Sequence, residues 1–77
     1  MVNELISEKL RGLRAEKKLS YEDVANILKI HRETFRKYEN NPNQMDIGTF
    51  LEILEIYNID PIIFFTQIYG KMPNNEE

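Results

Sequence analysis

The stretch Ser20–Glu39, SYEDVANILKIHRETFRKYE, decides how this chain is read. Val24 and Ala25 on one side of a turn of about three residues, and Phe35 and Tyr38 on the other, are the apolar packing positions. Two short helices and a tight turn follow. The second helix carries a polar outer face: Arg32, Glu33, Arg36 and Lys37. A helix whose outer face holds such donors and acceptors can enter a major groove.

The ends of the helices can be placed from their caps. A hydrophobic staple sets an apolar residue just before the N-cap against one four residues after it. The pattern occurs at Leu19–Ser20–Val24, Ile30–His31–Phe35, Met45–Asp46–Phe50 and Ile59–Asp60–Phe64. Ser20, Asp46 and Asp60 are strong capping types, and His31 is a weak one. Asp23, at the third helical position after Ser20, completes a near variant of the capping box. Pro61 falls on the first helical position after Asp60, where its missing N–H costs nothing.

A further helix precedes these. Ile6, Leu10 and Leu13 share one face, and Lys17 and Lys18 complement the partial negative charge of a helix C-terminus. The expected helices lie near 3–17, 20–28, 31–40, 46–57 and 60–69. In the fourth, Ile47, Phe50, Leu51, Leu54 and Tyr57 form the expected apolar face. Asn40, Asn41, Pro42 and Asn43 provide turn chemistry: Asn tolerates the left-handed conformation, and Pro42 stops the third helix. No segment alternates with period two, so no strand is expected. The chain reads as a single all-α domain of five helices over 1–71, with a frayed tail at 72–77.

Composition bounds the chemistry. Seventy-seven residues support one modest core. With no cysteine and one histidine, neither a disulfide framework nor a zinc site is expected. The chain has no nucleophile–base pair and no glycine-rich phosphate loop, which argues against an enzyme and against a cofactor. Neither a signal peptide nor an apolar run of the ~20 residues a membrane span needs is present, so a cytoplasmic, nucleoid-associated domain is expected.

The net charge is −3, but it is unevenly spread. Residues 1–39 hold nine of the ten Lys and Arg against seven acids, whereas residues 40–77 hold one against six. One surface is thus suited to a polyanion and another is not.

From Leu10 to Phe65 the order and spacing resemble the phage-repressor or Cro-like (Xre-type) helix-turn-helix family. The segments that carry the resemblance are LRGLRAEKKLSYEDVA, the turn LKIH, the recognition segment RETFRKYEN and the closing TFLEILEIYNIDPIIFF. The resemblance implies a lambda-repressor-like domain acting as a sequence-specific transcriptional regulator, of phage or bacterial type. It implies that Ala25 is the small residue letting the third helix approach the second, and that Ile30 and Phe35 wedge the two together. Arg14 and Glu39 correspond to an ion pair tying the first helix to the end of the third. Arg32, Glu33 and Lys37 correspond to base-reading positions; His31, Arg36 and Asn40 correspond to positions near phosphates or the groove wall. Tyr21 stands where the family has a Gln that reaches the DNA backbone, and Lys29 stands where it has a turn Gly.

These side chains have suitable chemistry. Arg and Lys donate to guanine O6 and N7, Glu accepts from cytosine N4, and a Tyr hydroxyl can donate to phosphate. The bland counterpart for Glu33 and Lys37 is an ordinary i,i+4 surface pair. A single recognition helix reads few base pairs, so a homodimer binding two half-sites about 34 Å apart on double-stranded DNA is expected. The last helix has more apolar residues than one buried face requires. Ile62, Phe65, Ile68 and Tyr69 are the expected dimer interface, with Ile59 and Phe64 turned inward; alternatively Ile68 and Tyr69 fold back over the first helix. The competing function is a protein-interaction module on the same fold, an adaptor, antirepressor or antitoxin-like partner using the C-terminal helix.

Overall fold

The structure is a computed structural model that describes residues 2–70. Five α-helices follow one another: α1 (Val2–Glu16), α2 (Tyr21–Leu28), α3 (Arg32–Asn40), α4 (Ile47–Ile56) and α5 (Pro61–Tyr69). A single 3-10 turn, Pro42–Gln44, links α3 to α4. No strand occurs among the described residues. The segment 72–77, expected as a tail, lies outside them.

Side chains start three of the helices. Ser20 Oγ accepts from the Asp23 N–H at 3.0 Å while Asp23 Oδ2 accepts from the Ser20 N–H at 2.9 Å, a reciprocal capping box. Asp46 accepts from both the N–H (3.1 Å) and the hydroxyl (2.7 Å) of Thr49. Asp60 accepts from the Ile62 N–H at 2.7 Å, with Pro61 at the first helical position. His31 occupies the N-cap of α3 in extended backbone and makes no side-chain cap bond.

Three helices end the same way. Lys18, Lys29 and Asn58 are left-handed, with φ of 59°, 61° and 57°. The next residue in each case, Leu19, Ile30 or Ile59, donates its N–H five residues back, to Arg14, Ala25 or Leu54. This is the Schellman closure, and the apolar residue that follows folds onto the core. Two lysines thus hold a conformation that glycine adopts without strain. Asn41 departs from the expectation of a left-handed turn residue: its φ is −142°. The residue before a proline is pushed to extended backbone, and Pro42 follows it.

The core comprises Leu10 and Leu13 of α1, Val24 and Ala25 of α2, Phe35 of α3, Phe50, Ile53 and Leu54 of α4, Tyr57 just after it, and Phe64 and Ile68 of α5. Helix α3 packs on α1 and α2, α2 also meets α4, and α1 reaches α5. Phe50, Phe64 and Phe65 stack edge-on or tilted, with ring centroids 5.2–5.8 Å apart.

Two expectations about apolar faces are corrected. On α4 the buried stripe is Phe50, Ile53, Leu54 and Tyr57, whereas Ile47 and Leu51 face outward at 69% and 43% exposure. Apolar residues surround most of α4, so periodicity alone could not choose between the two stripes. On α5, Ile68 is 2% exposed and belongs to the chain's own core, one turn after Phe64. It cannot offer its side chain to a second copy. Ile62 and Tyr69 are exposed, and Phe65 is half-buried.

Candidate nucleic-acid interface

The interface is built around α3. Phe35 and Glu39, four residues apart, are buried and fix one side of the helix to the core. That leaves Glu33, Arg36, Lys37 and Asn40 exposed away from the core, and Arg32 exposed at the first position of the helix, in line with the buried stripe. All the α3 residues expected as readers or phosphate contacts are therefore exposed, with His31 exposed just before the helix.

Glu39 is a structural anchor. Its side chain is fully buried and accepts from Arg14 Nε at 2.8 Å and Nη2 at 3.1 Å, a bidentate pair. Arg14 Nη1 donates to the Leu19 carbonyl at 2.9 Å. The same guanidinium lies over the Tyr21 ring, 4.2 Å from its centroid, a cation–π contact. The bond from Glu39 raises the Arg14 pKa further above its already high ordinary value. One cation thereby ties α1, the α1–α2 turn, the start of α2 and the end of α3 together.

Tyr21, expected from the sequence as a phosphate contact, packs within the structure. Its ring is half-buried between Arg14 and Phe35, meeting Phe35 edge-on at 5.9 Å. The acids beside it divide in role: Asp23 is held in the capping box, and Glu22 is exposed.

The charged face of α3 is internally paired. Glu33 Oε1 accepts from Arg36 Nε at 2.9 Å, and Glu33 Oε2 lies 3.5 Å from Arg32 Nη1. The hydrogen bond from Arg36 is the main cause lowering the Glu33 pKa, and Glu33 in turn raises that of Arg36. Glu33 pairs at i,i+3 with Arg36 and not at i,i+4 with Lys37, the bland alternative to base reading.

Arg11 is a residue the sequence reading missed. It is exposed on α1, and its Nη2 donates to Asn40 Oδ1 and to Ser7 Oγ, each at 3.2 Å. Its Nε lies 3.8 Å from Glu39. It places another cation at the C-terminal end of the α3 face. Its contact with Asn40 spans 29 residues, so no spacing in the sequence marked it. Nearby, Asn3 donates to Asn41 Oδ1 at 2.9 Å and accepts from the Asn43 N–H at 3.0 Å, which ties the loop after α3 to the start of α1.

A family model described as a helix-turn-helix domain matches residues 7–70. The chain belongs to this helix-turn-helix family. The match agrees with the phage-repressor or Cro-like resemblance and with the five-helix architecture. No curated protein and no solved structure matches the chain. A helix-turn-helix domain points to a DNA-binding regulator, and the family is generally non-enzymatic. No helix among the described residues is long and apolar enough to cross a membrane.

Proposed function

We propose that this protein is a sequence-specific transcriptional regulator, repressor- or Cro-like, that occupies an operator in double-stranded DNA as a homodimer at the nucleoid. The observation that carries the reading is the outer face of α3: three cations and one acid on a helix whose other side is locked to α1 by Phe35, Glu39 and Arg14. Arg32, Glu33 and Lys37 read base edges. Tyr21, His31, Arg36 and Asn40 contact the backbone, with Arg11 beside Asn40. Such a face supplies donors for guanine, an acceptor for cytosine and charge for phosphates.

The dimer reading rests on α5. Ile62 is 75% and Tyr69 66% exposed, on the side of the helix that also carries Phe65. Phe65 opens onto an apolar hollow of about 200 Å³ lined also by Ile6, Pro42, Met45, Ile47 and Phe50. A contiguous apolar surface of this kind supports association. The same surface favours a second reading, an adaptor on a helix-turn-helix scaffold. That reading requires Ile62 and Tyr69 to matter and Arg36 not to.

Selection from random duplexes at low and moderate salt tests the proposal. Enrichment of a short palindrome supports a dimeric reader. Absence of any enrichment at low salt counts against DNA reading and leaves the adaptor.

A further inference from the structure

We propose that Glu33 is a specificity determinant that acts through Arg32 and Arg36, restraining their charge so that arbitrary DNA is bound weakly. The inference rests on the DNA-reading role of α3 and assigns a further task within it.

The geometry of the three side chains carries the argument. Each oxygen of the Glu33 carboxylate is turned toward a different guanidinium, Oε1 to Arg36 at 2.9 Å and Oε2 to Arg32 at 3.5 Å. All three side chains are about half exposed, at 59%, 59% and 46%. Ion pairs this exposed add little to folding. The anchoring of α3 is done elsewhere, by Phe35 and by Glu39 with Arg14. The cluster is therefore not needed to hold the helix.

Its consequence appears at a polyanion. A phosphate must compete with Glu33 for either guanidinium, and a carboxylate left unpaired near phosphates is repelled by them. Binding to an arbitrary duplex is weakened on both counts. Withdrawal of water in the groove strengthens these interactions. A site that presents a cytosine amino group to Glu33 removes the penalty, because the carboxylate then has a donor of its own. The Arg36 bond uses Nε, so its two terminal nitrogens remain available to the DNA.

The test compares wild type with Glu33→Gln, which keeps shape and helix propensity and removes the charge. Fluorescence anisotropy is read on a selected duplex and on a scrambled duplex of equal length, across salt. Circular dichroism checks folding. On the scrambled duplex, Glu33→Gln is expected to bind about tenfold tighter at low salt, with a log–log salt slope steeper by about one. Discrimination between the two duplexes is expected to fall at least about tenfold. In an Arg36→Gln background the effect of Glu33→Gln should shrink, since the restraint runs through Arg36. Wild-type slope and discrimination in Glu33→Gln overturn the proposal. Equal weakening on both duplexes also overturns it. If neither protein binds any duplex at low salt, the DNA reading itself fails and takes the proposal with it. Binding by wild type with no change in the variant removes only the role of Glu33.

Discussion

Replacing Glu39 with Ala is expected to be among the most damaging changes to this fold. A domain of 77 residues has a total stability of about 4–12 kcal/mol at the usual ~0.05–0.15 kcal/mol per residue. Removing one partner of a buried ion pair costs about 3–5 kcal/mol, because the other charge is left desolvated. Arg14 is that other charge: its side chain is only 16% exposed, and it would retain the Leu19 carbonyl and the Tyr21 ring but lose both carboxylate bonds. With an m-value of about 1 kcal/mol/M for a chain this small, the urea midpoint should fall by roughly 3–5 M. The protein would lose a large part of its margin. Joint replacement, Arg14→Met with Glu39→Leu, should recover most of the loss, since an apolar pair leaves no stranded charge. Urea unfolding followed by far-ultraviolet circular dichroism reads both variants. A cost below about 1 kcal/mol for Glu39→Ala would refute the assignment of Glu39 as the anchor. So would a double variant no more stable than the single one.

Three smaller changes have signs that follow from the structure. Lys29→Gly relieves a left-handed lysine at φ 61° and should raise stability by about 1 kcal/mol, visible as a higher Tm. Tyr57→Phe removes a buried hydroxyl with no hydrogen-bond partner among the described residues, whose burial pushes the phenol pKa up; stability should hold or rise by up to about 1 kcal/mol in urea unfolding. Asp46 accepts two bonds from Thr49 that hold its carboxyl below the ordinary 3.8. A depressed carboxylate contributes fully above its unfolded pKa, so this contribution is lost as pH falls below about 3.8 through the lower folded value. Asp46→Asn should therefore flatten the fall of Tm in that acid window, and an unchanged acid limb would contradict the assignment.

Much of the architecture was legible because helix starts are written in local chemistry. Ser20, Asp46 and Asp60 each bond an amide two or three residues on, using only neighbours in sequence. The face of α3 was legible for the same reason: burying Phe35 and Glu39 turns Glu33, Arg36, Lys37 and Asn40 outward. What escaped needed three-dimensional context. Ile47 and Leu51 have the same hydropathy as the residues buried on α4, and only packing against α2 and α5 separates them. Ile68 looked available on an apolar helix, yet it lies one turn from Phe64 and completes the core. Arg11 joins the site through Asn40, 29 residues away, a contact no local pattern encodes. The pairing of Glu33 with Arg36 in place of Lys37 depends on side-chain rotamers that spacing leaves open.

The central claim is that the outer face of α3 binds DNA. The most direct test is binding of a fluorescent duplex pool at low salt by wild type and by Arg36→Glu, each with its helical circular dichroism recorded. Arg36 is exposed and its side chain bonds only to exposed Glu33 among the described residues, so charge reversal should leave the helical spectrum intact. Salt-sensitive binding by wild type is expected, with loss of at least about 90% of it in the folded variant. Equal binding by the two folded proteins would contradict it.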